Sequence, residues 1–487
     1  MTRTLQHIGT DVAQQEYTAA RIAHWDGVAT SLDTAYHWSD AYHARLSRVF
    51  RSVVAPNQRV LEIGCGQGDL LAAVRPSFGL GVDFSEEMLR RATRRHPHLN
   101  FARADAHALD LSQGQPFDVV ILSDLVNDVW DVEVAFGQLK RVTHPGSRLI
   151  LNFYSRLWEA PLDLTRALGL GKPLLEQNWL TVQDVDNLLR LADFEVTRRW
   201  DEILLPISAG GLEEVVNRYL ARVWPLEIAA LTHFVVARPT PRPDIDQTEP
   251  LVSVIVPARN ESGNISAILD RTPEMGRGTE LVFVEGHSSD ATYETIERET
   301  ARRPERQCQL LRQTGRGKGD AVRLGFAHAR GDVLMILDAD LTVAPEDLPR
   351  FLHALTSGKG EFINGVRLVY PMQKQAMRFL NLLGNKFFSL AFSWLLGQSI
   401  KDTLCGTKVL SAANYQRIAA ARAYFGDFDP FGDFDLLFGA ARLNLKIVDL
   451  PIRYRERTYG TTNIQRWRHG WLLLRMVLFA ARRIKFV

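Results

Sequence analysis

Three cysteines in 487 residues, Cys65, Cys308 and Cys405, lie far apart and form no Cys-x-x-Cys pair. That spacing argues against a disulfide framework or a thiolate metal site and fits a reducing cytosol. Long apolar runs are missing as well. No stretch of roughly 18 uncharged apolar residues occurs, so no transmembrane helix is predicted. The first residues, MTRTLQHIGTDVAQQEY, have no apolar centre, and no signal peptide is expected. Neither sign of charge dominates: 58 Lys and Arg face 56 Asp and Glu, and a net +2 specifies no partner. No nucleic-acid partner is expected.

What is present is an ordinary soluble globular composition, 46% hydrophobic and 23% charged. A chain of 487 residues exceeds what one ordinary core holds, so two or three domains are expected. ARPTPRPDIDQTEP carries Pro239, Pro241, Pro243 and Pro250, a density that favours extended chain. The predicted division is a first domain over 1–238, a linker over 239–250, a second domain over 251–465 and a C-terminal helix over 466–487.

Residues 1 to about 55 read as helical. The predicted strand Val60–Ile63 then runs into Gly64-Cys65-Gly66-Gln67-Gly68, with a helix from Asp69. Glycines at such a junction let a ligand approach the backbone at the start of a helix. The spacing GxGxG differs from the GxGxxG of a dinucleotide fold. A second strand ends at Asp83, placed to accept hydrogen bonds from a ribose. Further strands end at Asp105, at Asp124 and near Phe153, each alternating with a helix. A largely parallel sheet with ligands at its carboxyl edge follows. FEVTRRW and THFVVARP read as two closing antiparallel strands, and Thr181 with Asp184 as a helix capping box.

Over roughly 1–240 these residues resemble the class I S-adenosylmethionine-dependent methyltransferases. The resemblance implies that Glu62, Gly64, Gly66 and Gly68 surround the methionine moiety, and that Asp83 and Phe84 hold the ribose side. It places Asp105 and Ala106 near the adenine, and Asp124 after the fourth strand. HPGSRLIL resembles the turn before the fifth strand, with one glycine, Gly146, in place of two. Methyl transfer from an activated sulfonium needs positioning above all. A hydroxyl acceptor would also use a base, for which Asp124, Asp128 and Tyr154 are candidates; helix capping or aromatic packing explains them equally well.

The second half begins with another strand–loop–helix unit, LVSVIVPARNESGNI, in which Pro257, Ala258, Asn260 and Glu261 form the turn. A further strand ends at Glu285 and leads into His287-Ser288-Ser289-Asp290. Lys318 sits between two glycines in GRGKGDAVRLG, where backbone can approach an anion; a solvated charge at a helix start gives the same pattern. Val333–Leu337 then runs into Asp338-Ala339-Asp340, with a helix expected near Pro345. Two carboxylates one residue apart repel, and each is costly to desolvate unless paired or on a metal. Carboxylate oxygens suit Mg²⁺ or Mn²⁺, which also bind diphosphates. The alternative is a solvated turn after a buried strand.

Over about 251–465 the pattern resembles the family 2 glycosyltransferases of GT-A fold. VIVPARNE, VEGHSSDAT, GKGDAVRLG and the Asp338-Ala339-Asp340 metal segment occur in that family's order. Glu285-Gly286 departs from it, standing where two aspartates are usual. Beyond the acidic pair the likeness is to polyprenyl-phosphate sugar synthases of the dolichol-phosphate mannose type. It implies that Arg367, Arg378 and Arg457 meet phosphates, while Thr462-Asn463 replaces the family's Ser-Lys. A base for a hydroxyl acceptor would come from Asp402, Asp433 or Asp435; a lipid phosphate would need none.

From Arg453 onward there are nine Lys or Arg and one acid, Glu456. WRHGWLLLRMVLFAARRIKFV spaces Arg468, Arg475 and Arg482 seven apart on an apolar helix with Trp467, Trp471 and Phe479. MRFLNLLGNKFFSLAFSWLLG is apolar around most of its circumference, with Lys374, Arg378, Asn381 and Asn385 along one side. These suit helices lying on an anionic membrane surface, although core packing or oligomerisation gives the same pattern.

The expected protein is therefore α/β, with two doubly wound domains: an N-terminal Rossmann-like methyltransferase fold and a C-terminal GT-A fold. It would transfer methyl from S-adenosylmethionine and, with Mg²⁺ or Mn²⁺, sugar from a nucleotide-sugar donor to a lipid-phosphate or envelope-saccharide acceptor. Its expected place is cytoplasmic, peripheral at the inner face of the cell membrane. A soluble saccharide or protein acceptor, and a first domain that binds the cofactor without turnover, are the alternatives.

Overall fold

A computed structural model describes residues 2–31, 40–111, 114–167, 175, 177–241, 249–367, 379–422, 433–453, 457, 459 and 466–487. The chain divides into two compact units, Met1–Thr240 with Phe486–Val487, and Pro241–Lys485. Each holds one seven-stranded sheet.

The strands of the first unit are β1 (Arg59–Ile63), β2 (Phe78–Asp83), β3 (Asn100–Arg103), β4 (Phe117–Ser123), β5 (Thr143–Tyr154), β6 (Phe194–Glu202) and β7 (Thr232–Pro239), in the order β3-β2-β1-β4-β5-β7-β6. Alternate residues of each central strand feed different cores. Leu61, Ile63, Val120 and Leu122 join one apolar cluster, whereas Val60, Val119 and Ile121 join another with Val49 and Phe50. Burial on both faces is why these strands read as unbroken apolar runs. Burying each such side chain fully contributes about 1.5–3 kcal/mol.

Only one strand of this sheet is reversed, not two as the sequence suggested. β7 pairs antiparallel with β5 and with β6, so β6 runs with the rest of the sheet. The last strand in sequence inserts between two that were already laid down. β3 also ends at Arg103, two residues before Asp105. The capping box of Thr181 and Asp184 is present. Ser85 caps the helix Glu86–Arg95, accepting from the Met88 amide. Below the sheet edge, Glu202 is buried between Arg45, at 3.0 Å, and Arg222. Burial alone would raise this carboxyl; the two guanidiniums hold it below the usual glutamate range.

The second unit contains β8 (Leu251–Ala258), β9 (Gly278–Glu285), β10 (Gln307–Arg312), β11 (Val333–Ile336), β12 (Phe362–Val366), β13 (Lys408–Ser411) and β14 (Ile447–Pro451), in the order β10-β9-β8-β11-β13-β12-β14. β13 pairs antiparallel with β11 and β12; the other pairings are parallel. Val252, Val254, Met335 and Leu337 anchor its main core.

In both sheets the strand order reverses beside the first strand of the unit, between β1 and β4 and between β8 and β11. The crevice at the carboxyl ends of such strands is where open α/β sheets bind ligands. It falls at Gly64 and Asp124 in one unit, and at Pro257–Glu261 and Asp338–Asp340 in the other.

Candidate functional sites

The first crevice is a cleft of about 400 Å³ of space that opens to solvent. Six of the sequence-predicted residues line it: Gly64, Asp83, Phe84, Asp105, Ala106 and Asp128. Gly64 has φ 74°, a conformation that strains any L side chain, and a Cβ there would stand 2.9 Å from Leu125 Cδ1, at the cleft wall. Gly66 (φ 50°) and Gly68 (φ 76°) continue the left-handed turn, and Gly68 caps the helix Asp69–Val74.

Asp83 accepts from the Gly66 amide at 2.9 Å through one oxygen and from the Ser85 amide at 2.9 Å through the other. Burial raises its carboxyl, and these amides oppose the rise. Asp105 accepts from the His107 amide and ring, which lowers it. The His107 Nε2 accepts from the Asp131 amide at 3.1 Å, so Nδ1 carries the proton toward Asp105. Glu62 is 2% exposed, and its Oε2 finds no partner among the described residues. Burial pushes that carboxyl well up.

Sequence reasoning missed the wall supplied by the helix Thr2–Ser31, whose Tyr17, Thr18 and Arg21 line the cleft. Arg21 holds the Asp128 carboxylate at 2.9 Å, and Trp25 Nε1 donates to its other oxygen at 2.9 Å. The Arg21 guanidinium lies 3.5 Å from the Tyr17 ring centre. Asp26 accepts from the Ser85 hydroxyl, which fixes the helix to the end of β2. No local spacing links these residues to the glycine turn, although the scattered aromatics of the first 30 residues are a weak signal. Asp128 is therefore tied up in an ion pair. Asp124 is not among the cleft-lining residues; it is half-buried and accepts from the Tyr42 hydroxyl and from Asn152 Nδ2.

The second crevice gathers charge of both signs. Asp338 meets the Lys318 ammonium at 2.7 Å. Burial would raise the Asp338 carboxyl, yet Lys318, with Arg367 and Lys408 beyond, holds it below the usual range. Asp340 meets Arg457 at 2.7 Å and also accepts from the Thr342 amide and hydroxyl. The same Arg457 reaches Glu261 at 3.2 Å. Burial pushes Glu261 up to about 7 against the pull of Arg457. Glu261, Lys318, Asp338, Asp340 and Arg457 thus form one cluster, assembled from four chain segments.

Pro257 and Ala258 close β8, and Asn260 turns with φ 58°. Its side chain accepts from the Ser289 amide at 2.8 Å, and its own amide donates to Ser288. Buried Glu285 accepts from the Ser288 amide at 2.5 Å. The absent side chain at Gly286 leaves room for the Gln313 carboxamide, whose oxygen would lie 3.0 Å from a Cβ.

The remaining acids stand apart from that cluster. Asp402 is fully buried and holds Arg367 through two bonds of 2.7 and 2.9 Å. It also accepts from the Arg367 and Leu404 amides, so no oxygen is left to act as a base. Asp402 positions Arg367 instead. Asp435 is paired with Arg422 at 2.9 Å. Asp433 opens the helix Asp433–Arg442, and Arg378, Lys374 and Thr462-Asn463 lie outside the described residues. Gly406 was not singled out from sequence. A Cβ there would overlap both the Asp338 carboxylate and the Lys318 ammonium. A glycine just ahead of β13 was the available signal.

No group of three or more His, Cys, Asp or Glu that could hold a metal occurs among the described residues. Two carboxylates alone still suit Mg²⁺, which commonly takes one or two from protein and the rest from phosphate and water.

Two glycine- and acid-bearing crevices at strand-order reversals define a chain with two α/β ligand sites. Residues 55–193 match the model of a Methyltransferase domain, and residues 253–410 that of Glycosyl transferase family 2. The chain carries both domains. Among curated proteins, it is 38% identical over 117 residues to the undecaprenyl-phosphate 4-deoxy-4-formamido-L-arabinose transferase of Edwardsiella ictaluri, covering 23% of this chain and 36% of that protein. It is 28% identical over 228 residues to glycosyltransferase AglJ of Haloferax volcanii, covering 46% and 70%. The matches to these two relatives thus span from 36% to 70% of the relatives' own lengths. Among solved structures, magnesium protoporphyrin IX methyltransferase from Synechocystis is 17% identical, covering 47% of this chain and 99% of that one, with TM-score 0.32. The fold assignment rests on strand order rather than on that value.

Proposed function

We propose that the chain is a bifunctional enzyme that methylates one acceptor and glycosylates another within lipid-linked or envelope saccharide assembly. Its first half would use S-adenosylmethionine and its second half a nucleotide sugar, with a polyprenyl-type lipid phosphate as acceptor. The observation that carries the second activity is the cluster at the end of β11, where two acids and two cations interleave. A metal-bound diphosphate presents the same two signs. Asp338 and Asp340 would hold Mg²⁺ or Mn²⁺, which would neutralise charge on the departing diphosphate. Lys318 and Arg457 would turn from the carboxylates to phosphate oxygens, with Arg367 held ready by Asp402. The two relatives named above are glycosyl-type transferases, one of them named for an undecaprenyl-phosphate substrate.

For the cofactor, the left-handed glycine turn, Asp83 at the end of β2 and the unpartnered buried Oε2 of Glu62 support the fit. A sulfonium bearing an ammonium group would find the carboxyls of Asp83 and Asp105 lining the cleft.

No helix among the described residues is long and apolar enough to cross a membrane. The helices Phe379–Leu396 and Arg466–Ala480 pack together, and between them expose Phe387, Leu390, Trp394, Trp471 and Leu478. Exposed Lys386, Arg475 and Arg482 accompany them. Apolar and basic side chains on one helix pair suit the surface of an anionic bilayer, where a lipid phosphate acceptor would be met.

The deciding experiment offers labelled nucleotide sugars with Mg²⁺ or Mn²⁺ and a lipid-phosphate extract, and follows label into the organic phase. Label confined to the aqueous phase would shift the acceptor to a soluble saccharide or protein. Sedimentation with anionic liposomes tests the surface: a full chain that stays in the supernatant would exclude it.

A further inference from the structure

The loop 401–407, which leads into β13, carries two groups on which the second crevice depends. Asp402 holds Arg367, and Gly406 lies so close to Asp338 and Lys318 that a Cβ there would overlap both. The backbone groups of such a loop need partners. Three of them find side chains, one from each of three neighbouring strands. The register sets Asp449 of β14 beside Asn364 of β12, and Asn364 beside Lys408 of β13. The three side chains therefore share one face of the sheet. Asp449 accepts from the Lys401 amide at 2.7 Å and from Asn364 Nδ2 at 2.7 Å. Asn364 Nδ2 also donates to the Asp402 carbonyl at 3.0 Å. Lys408 Nζ donates to the Cys405 carbonyl. At the far end of the loop, the Gly365 amide donates to the Thr407 carbonyl at 3.0 Å.

Lys408 is the unexpected member of this row. Its side chain is fully buried, as are those of Asn364 and Asp402. An ammonium is costly to bury, and an apolar side chain would fill the same place in the strand without that cost. What the charge adds is a hydrogen bond roughly twice as strong as one between neutral groups. The peptide group so held is the one that joins Cys405 to Gly406, directly beside the Asp338 and Lys318 side chains.

We propose that Lys408 is a positioning residue for sugar transfer: it clamps the Cys405–Gly406 peptide and so fixes the wall against which Asp338 and Lys318 rest. This rests on the glycosyltransferase reading above and gives a role to a buried side chain that touches no ligand. While the crevice is empty, Lys318 itself holds Asp338. Once Lys318 turns to a phosphate, the Asp338 carboxylate loses that partner and Gly406 remains behind it. A loop free to shift by about 1 Å would let the carboxylate swing out of line with the diphosphate, at a cost of about 10²-fold in rate. Asn364 and Asp449 serve the other end of the same loop, where Asp402 presents Arg367.

The test uses the full chain with labelled UDP-, GDP- and dTDP-linked hexoses, Mg²⁺ or Mn²⁺ and a lipid-phosphate extract. Lys408→Met keeps the length of the side chain and removes the donor. Its kcat should fall about 10²-fold, with KM for the nucleotide sugar within about threefold of the unaltered chain. Lys408→Gln keeps a neutral donor and should recover to within about tenfold. The midpoint of denaturant unfolding should hold in Lys408→Met, because an apolar side chain of similar volume replaces a buried charge. A readout that needs neither metal nor sugar is amide hydrogen exchange across 401–407, which should quicken in Lys408→Met. Unchanged kcat or unchanged exchange in that variant overturns the proposal. So does a loss of kcat and of the unfolding midpoint to the same extent in both variants, or failure of both to fold, since either outcome makes Lys408 a core residue only. An unaltered chain that transfers sugar from none of these donors would instead overturn the glycosyltransferase reading.

Discussion

The two crevices lie at equivalent places in their sheets yet satisfy their acids in opposite ways. Beside Gly64, Asp83 and Asp124 are held by amides and hydroxyls, and Glu62 keeps an orphan oxygen. Beside β11, Asp338 and Asp340 are each matched by a side-chain cation. Carboxyls held by neutral donors, with burial raising them, gain from a cationic ligand that restores their charged form. Acids interleaved with Lys318 and Arg457 are prepared for a ligand that brings both a metal and phosphates. Fold alone does not make this distinction; the partners of each acid do.

Removing an acid from the second crevice breaks the comparison most severely. Asp338→Asn should lower sugar transfer by about 10³-fold or more, by removing charge stabilisation at the departing diphosphate. Cofactor affinity of the first unit, measured by calorimetry, should not change, and loss of both would show that the units are not independent. Glu202→Gln tests the same independence from the other side. It leaves Arg45 and Arg222 buried without a counter-charge, a destabilisation of about 3–5 kcal/mol measurable by denaturant titration of the first unit. Because Glu202 is depressed in the folded state, its contribution is present above the unfolded value near 4.3 and is lost as pH falls. The variant should therefore lose that part of the acid sensitivity.

Gly406→Ala sharpens the comparison without changing any charge. The added methyl pushes Asp338 and Lys318 apart, and a displacement of about 1 Å should cost about 10²-fold in sugar transfer. Stability should fall less than activity. Smallest of all, Ser85→Ala removes a helix cap and the hold on Asp26, for about 1–2 kcal/mol in the first unit. Weaker cofactor binding should accompany it, because Asp26 fixes the helix that walls the cleft.

Much of this was legible from local spacing. The strand ends at Asp83, Glu285 and Asp338, the glycine turn and the capping box at Thr181 depend on neighbours within a few residues. Partnership was not legible. Lys318 and Asp338 each stood out, but nothing within the 20 residues from one to the other states that they pair. Arg457 came from a resemblance, and its bridge between Glu261 and Asp340 closes loops of 196 and 117 residues. The same holds for Tyr17 and Arg21, which reach Asp128 across more than 100 positions. Asp402 was misassigned as a base for this reason, since only tertiary structure shows its oxygens already taken. The reversed order of β6 and β7 likewise follows from which edge was free, not from either strand's composition.

Gly64 and Gly406, two of the glycines where an added Cβ meets a close neighbour, have a genetic consequence. Gly64 stands against Leu125, and Gly406 against Asp338 and Lys318, so one added methyl at either place reaches one crevice only. Gly64→Ala and Gly406→Ala therefore supply a pair of alleles, each silencing one half of the chain. Expressed together in one cell, they ask whether the two reactions must occur on the same polypeptide. Full complementation would mean that intermediates travel freely between molecules, and failure would mean that the fusion itself is the working unit.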